Sequence, residues 1–433
     1  MGKKKVLIIT YYWPPGGGAG VQRWLKFVKY LRLYGWEPIV YTPENPEAPA
    51  IDTSLEKDIP ENLTVLKTKV WEPYAIYKRL TGQKPDEKIK SGFLTEKEKP
   101  GFLERLSVWI RGNFFIPDAR KFWIKPSVKF LTSYLKDNPV DLIVSTGPPH
   151  SMHLIALGIK KKLNLPWLAD FRDPWTNIDF YHKLKLTARA DKKHKRLEKE
   201  VLDTADKVIC ISYDMAKEFE EITSTNIEVI TNGYDEEDFK EIKPLHENKK
   251  EFEILHLGSM NADRNPVSLW KALQELKKEN PVLEQRLKIT FIGFVDITVK
   301  NALRQYGLTG VVEMIPYLPH GDALRRAAGA DVLLLALNDT PNVKGILPGK
   351  MFEYLALKSP ILGTGDTEGD AANILLSTNA GKMFDFEDIT GIKEFLLQAF
   401  NGEHKYSFEG TERFSRKYLT RKMSEVFQEL TEK

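Results

Sequence analysis

Residues 331–363 read DVLLLALNDTPNVKGILPGKMFEYLALKSPILG. Asp331–Leu337 is a continuous apolar run of the kind buried on both faces of a parallel sheet, and Pro360–Gly363 is a second. Between them Pro348 and Gly349 stand where a helix should begin, and Met351, Phe352, Leu355 and Ala356 recur at helical spacing. Strand, helix and strand in that order predict parallel pairing. The N–H groups of Gly349, Lys350 and Met351 would then open a helix at its positive end, an arrangement that favours a phosphate or diphosphate. Lys350 adds charge there, and Glu353, about one turn in, places a carboxylate where two sugar hydroxyls could donate to it.

The same alternation extends outward in both directions. Strand-like runs occur at Lys5–Thr10, Glu37–Tyr41, Thr64–Thr68, Asp141–Thr146, Trp167–Phe171, Lys207–Ser212 and Ile227–Ile230, with helical periodicity at Val21–Leu33, Pro126–Leu135, His153–Leu163, Leu184–Asp203 and Asp214–Ile222. The polar stretch Asp235–Lys250 interrupts it and reads as a linker. Strands then resume at Phe252–Leu257, Leu287–Ile292 and Val311–Ile315, with helices at Pro266–Lys278, Ile297–Gln305, Asp322–Ala328 and Ile389–Phe400. The expectation is an α/β protein with two Rossmann-like doubly wound domains facing across a cleft, over residues 1–240 and 241–410. An amphipathic helix near Tyr418–Leu430, within residues 411–433, crosses back to the first domain.

Composition narrows the class. The 433 residues are 42 % apolar and 29 % charged, as in a soluble globular protein. The single cysteine, Cys210, lies in an apolar run and reads as a buried small side chain, so neither an intrachain disulfide nor a cysteine metal site is available. No stretch reaches the length of a membrane-spanning helix and no leader is visible, which predicts a cytoplasmic protein. Charge is uneven: residues 1–200 hold 36 Lys and Arg against 22 Asp and Glu, whereas residues 201–433 hold 28 against 38. A basic first half points to an anionic partner such as a membrane surface or phosphorylated lipid, or to a merely solvated surface. The irregular region 71–129 mixes Lys and Arg with Trp71, Tyr74, Tyr77, Phe93, Phe102, Trp109, Phe114, Phe115, Phe122 and Trp123. Two readings fit it: an insertion at the inner membrane interface or acceptor pocket, and the core of a helical subdomain.

Four loops at expected strand ends carry the chemistry. YYWPPGGGAG at 11–20 has glycines that allow close approach to a ligand, without the G-x-G-x-x-G spacing. TGPPHSMH at 146–153 holds two histidines, of which His150 is the better candidate for a sugar hydroxyl or the reacting oxygens. ADFRDPW at 169–175 sets Asp170, Arg172 and Asp173 together, either to meet a ligand or to satisfy one another. LGSMNADRNP at 257–266 brings Gly258 and Ser259 near a diphosphate and offers Arg264 to neutralise it.

In these residues the chain resembles the family 4 glycosyltransferases, retaining enzymes of the two-domain GT-B type that act in bacterial polysaccharide biosynthesis. The resemblance implies that Gly17 and Gly18 approach the donor phosphate and that His150 contacts the transferred sugar. Ser259 stands where the family has an arginine, and Arg264 where it has a lysine. Glu353 matches the second of two glutamates and implies ribose recognition, while Gly345 replaces the first. The family needs neither metal nor cofactor beyond its nucleotide-diphosphate sugar, UDP or GDP linked. It passes the sugar to a lipid-linked or glycan acceptor and has no nucleic-acid partner. A sugar-nucleotide epimerase of the same fold and a non-catalytic carbohydrate- or membrane-binding protein are the alternatives.

Overall fold

A computed structural model describes residues 3–47, 51–72, 102–242 and 250–432. The chain divides into two units. One runs to Thr231 and takes in Arg416–Lys433, and the other spans Asn232–Ser415.

The first unit begins β1 (Lys4–Ile9), α1 (Ala19–Leu31), β2 (Trp36–Pro43) and β3 (Thr64–Thr68). It continues with α2 (Phe102–Phe114), α3 (Lys121–Asp137), β4 (Leu142–Gly147), α4 (Ser151–Leu163) and β5 (Trp167–Phe171), then α5 (Ala188–Thr204), β6 (Lys207–Cys210), α6 (Tyr213–Glu220) and β7 (Ile227–Val229). All strands are parallel, in the order β3-β2-β1-β4-β5-β6-β7. Alternation along β1 explains the two faces: Val6 and Ile8 pack with α1, whereas Leu7 and Ile9 pack with α3 and α4. Cys210 is buried without a disulfide, as its apolar surroundings predict.

The second unit contains β8 (Phe252–Leu257), α7 (Val267–Glu279), α8 (Pro281–Arg286), β9 (Leu287–Ile292), α9 (Ile297–Gln305), β10 (Val312–Ile315), α10 (His320–Ala327) and β11 (Val332–Ala336). It ends with α11 (Gly349–Leu357), β12 (Ile361–Thr364), α12 (Asp370–Thr378), β13 (Gly381–Phe384) and α13 (Ile389–Asn401). Its parallel sheet runs β10-β9-β8-β11-β12-β13. The apolar run that opened the sequence reading is β11, with Val332, Leu334 and Ala336 on one face and Leu333, Leu335 and Leu337 on the other. The final helix, α14 (Arg416–Thr431), returns to the first unit, where Leu419, Met423, Val426 and Phe427 join the face of β1 that holds α1. Each sheet reverses strand order beside its first strand, between β1 and β4 and between β8 and β11, where open α/β sheets bind ligands.

Several expectations shift. The polar stretch after residue 235 does not mark the break, which falls at Asn232: Tyr234 already bridges Ser415 in the second unit. Pro126 lies inside α3 instead of opening it, because five residues before it already hold helical conformation. In the aromatic region, Trp123 is core, stacked on Tyr41 at 5.0 Å with its indole N–H donating to Thr68 Oγ1 at 2.8 Å. Trp71, Phe114 and Phe122 are exposed, while Tyr74, Tyr77 and Phe93 fall outside the described residues. Among the described residues, no helix is long and apolar enough to cross a membrane.

Candidate functional site

Each unit brings its expected site residues to the carboxyl edge of its own sheet. In the first unit, Gly18 caps α1 with φ 99°, a left-handed conformation that a residue with a Cβ resists, and Gly17 beside it is buried. Arg172, just past β5, organises this edge. Its Nη1 donates to the Gly20 carbonyl at 2.9 Å, Nε to the Gly147 carbonyl at 3.3 Å, and Nη2 to the Pro148 carbonyl. One guanidinium thereby ties the β1 loop to the β4 loop, a use of its fork of donors that lysine could not copy.

Asp170 requires a correction. It is fully buried and takes no part in the strand-end surface, because its carboxylate is already satisfied from behind. Arg23 Nη2 donates to it at 2.8 Å, Trp24 Nε1 at 2.7 Å and Thr146 Oγ1 at 2.8 Å. Burial pushes this carboxyl up, but the Arg23 charge and these donors overcome it and hold the group below its ordinary range. Its partner is Arg23, from α1, and not the neighbouring Arg172. Asp173 is exposed at the edge, with a carboxyl pushed up to about 6 by the protein crowded around it, against the pull of Arg172.

His150 precedes α4 and stacks flat on Trp175 at 4.6 Å. Its Nδ1 is buried without a hydrogen-bond partner, so it carries an acceptor or donor to spare. Burial, then the charges of His153 and Arg172, hold the ring neutral well below the usual histidine range. His153 faces the core: Nδ1 meets Ser145 Oγ at 2.8 Å, the ring stacks on Phe171 at 4.3 Å, and burial lowers it to about 3. His153 also leaves its Nε2 without a partner, so the two histidines differ in what they stack on and pair with and not in spare hydrogen-bonding capacity. Trp175 is held behind His150 by bonds from its indole to His194 Nδ1 at 3.0 Å and from its backbone N–H to Glu198 at 3.2 Å. The N-terminus of α4 is occupied, since Asp118 accepts from the Ser151 N–H and hydroxyl, both at 2.8 Å.

In the second unit the edge is built around Gly258, at φ 88° immediately after β8. A Cβ there would stand 3.3 Å from Lys350 Nζ, so the lysine lies directly over the loop. Arg264 leans back onto the same loop, donating to the Ser259 carbonyl and to Asn338 Oδ1, both at 3.0 Å. Lys350 Nζ lies 3.0 Å from His256 Nε2. Loss of water around the amine, then the Arg264 charge, hold its pKa well below the ordinary lysine range, with Glu353 opposing. Glu353 does not stand free: its Oε1 is 2.8 Å from His320 Nε2 at the start of α10.

The opening of α11 differs from expectation at one residue. Pro348 provides no side-chain cap, but the Met351 N–H bonds the Pro348 carbonyl at 3.0 Å and its side chain is core. Met351 is thus removed from the anion-binding set, leaving Gly349 and Lys350. Gly345, where the family's other glutamate is missing, ends a short 3-10 turn, and the adjacent Lys344 pairs with exposed Glu368 at 3.4 Å. Sequence reasoning passed over His256, His320 and Asn338. A histidine inside the apolar strand FEILHL was the available signal for the first.

The matches to known proteins agree with this geometry. Residues 89–238 match Glycosyltransferase Family 4. The chain has the two-domain GT-B fold, with a family 4 match largely in its first unit. The chain superposes on sucrose-phosphate synthase from Thermosynechococcus elongatus with a TM-score of 0.65 at 13 % identity, covering 99 % of both chains. It is also similar to the lipopolysaccharide outer core galactosyltransferase WaaB, with a TM-score of 0.58 at 14 % identity over 98 % of this chain and 99 % of that one. A trehalose-6-phosphate protein from E. coli, bound with UDP-2-fluoro glucose, gives 0.56 at 11 % identity over 99 % of this chain and 97 % of that one. No curated protein matches this sequence significantly. At these identities the structural likenesses establish the fold.

Proposed function

We propose that this protein moves a sugar from a nucleotide diphosphate sugar, UDP or GDP linked, to a lipid-linked or polysaccharide acceptor with retention of configuration. The observation that carries this reading is the convergence of Lys350 and Arg264 on the Gly258–Ser259 loop at the β8–β11 switch point. Lys350, resting on a neutral histidine, can turn toward a diphosphate without abandoning a carboxylate, and Gly258 lets the backbone approach it. Glu353 and His320 would read the ribose. As the sugar departs, negative charge grows on the diphosphate, and cations already in place stabilise it more than they stabilise the ground state. No protein nucleophile and no metal enter this scheme. The donor phosphate takes the acceptor proton on the face from which the sugar leaves.

In the first unit, His150 with its spare Nδ1 and exposed Asp173 are the groups left to orient a sugar or acceptor. Trp71, Phe122 and Phe114, exposed beside Lys121, fit contact with an anionic lipid surface, which salt would weaken. Calorimetry with UDP, GDP and their sugars tests the donor site, and absence of binding at millimolar ligand would sink the reading. Incubating a labelled nucleotide sugar without acceptor separates the classes, since C2 epimerisation of the free donor would favour an epimerase.

A further inference from the structure

The ladder between β8 and β11 stops early. Ile254 pairs with Val332 and Leu255 with Leu333, and beyond them two side chains take the backbone groups that the strands no longer share. Tyr354 Oη, from α11, accepts from the Leu257 N–H at 2.9 Å. His256 Nδ1 meets the Leu334 carbonyl at 2.9 Å. A carbonyl can only accept, so Nδ1 carries the hydrogen. Burial, then the positive charges of Lys350 and Arg264, keep the ring neutral. Its Nε2 is therefore a bare lone pair, and Lys350 Nζ stands 3.0 Å from it.

We propose that His256 is a positioning residue for the donor diphosphate: its Nε2 holds the Lys350 amine over the Gly258–Ser259 loop, where the remaining N–H groups of that amine meet an entering diphosphate. This rests on the donor-site reading above. The charged groups that bear on Lys350 are Arg264 from the segment after β8 and Glu353 one turn along α11, with neutral His256 beneath it. The same loss of water and the nearby guanidinium hold the pKa of the amine low while the site is free. When the diphosphate arrives, Nζ keeps one N–H on His256 Nε2 and donates another to a phosphate oxygen. His256 keeps its Nδ1 hydrogen on Leu334. An anion beside the amine raises its pKa, so nucleotide affinity falls as pH rises between the free and bound values of Lys350, by up to about tenfold per pH unit.

The test uses full-length protein carrying [13Cε]lysine, with K350R to assign the signal by its loss. The expected result is one lysine titrating far below the others, returning to the ordinary range when UDP or GDP saturates the site. A Lys350 that titrates with the bulk lysines overturns the inference whatever the protein binds. A low-titrating Lys350 that UDP, GDP and pyrophosphate all fail to move overturns the donor-site reading and the positioning role with it. Replacing the ring gives the second arm. H256L should weaken UDP or GDP binding about three- to tenfold, the worth of one hydrogen bond, and H256Q should recover most of it through its amide oxygen. Unchanged affinity in H256L refutes the role, and equal losses in a folded H256L and H256Q do so as well.

Discussion

At the edge of the N-terminal sheet, Arg23 is locked to Asp170 and two backbone carbonyls. At the edge of the C-terminal sheet, Lys350 rests on a neutral histidine, and Arg264 counts an amide and one carbonyl among its partners. The same residue types at equivalent places thus do opposite work. A cation matched to a buried carboxylate is committed to the fold, because removing either partner strands a charge. A cation on a neutral partner loses little by turning to an anionic ligand. Partner identity, more than residue identity or position, separates structural charge from charge that serves a substrate.

Breaking the committed pair gives the largest effect. Arg23→Met leaves Asp170 buried without its counter-charge and should lower unfolding free energy by about 3–5 kcal/mol in urea denaturation. A loss below about 1 kcal/mol would show that Trp24 and Thr146 suffice and would erase the contrast between the edges. Arg264→Ala should do the reverse, leaving stability near wild type while turnover falls by about 10²–10³, as when one transition-state donor is removed. An unaltered rate, or a large loss of stability, would move Arg264 into the structural class.

Much of the fold was legible because both sheets are parallel and covered on both faces, so β11 appears as an unbroken apolar run and β1 and β8 as mostly apolar ones. Elements of mixed composition were not: α12 and β13 carry no such run, and Pro126 disguised the start of α3. The candidate site was legible as loops rather than as contacts. Gly258, Arg264 and Lys350 could be placed because each lies beside a recognisable strand or helix end. Asp170 was assigned a neighbour in sequence, but Arg23 lies 147 positions away, and no local pattern reports such a pairing. His256 shows the converse. Its partners Leu334 and Lys350 lie 78 and 94 positions off, so its type was visible while its task was not.

The histidines extend the comparison to pH. His153, lowered to about 3, and His150, lowered well below its ordinary value, are neutral in the folded protein, whereas the unfolded chain takes up protons near pH 6.5. The unfolded state then binds more protons, so stability is complete above about pH 6.5 and is lost as pH falls toward the folded values. Between pH 6.5 and 5, His153 alone should account for about 2 kcal/mol in denaturant midpoints converted to free energy. His153→Gln should flatten that slope, and a slope that persists unchanged would assign it to other groups.

Glu353→Gln sharpens the other edge. The amide can still meet His320, so α10 and α11 should keep their contact and the protein its stability. What it loses is a charged acceptor for ribose hydroxyls, which should weaken UDP or GDP by roughly tenfold in calorimetry. Unchanged affinity would leave Glu353 as the anchor of His320 alone and place the carboxylate among the committed charges. A weakened nucleotide with intact stability would place it with Lys350 and Arg264, the charges that serve a ligand.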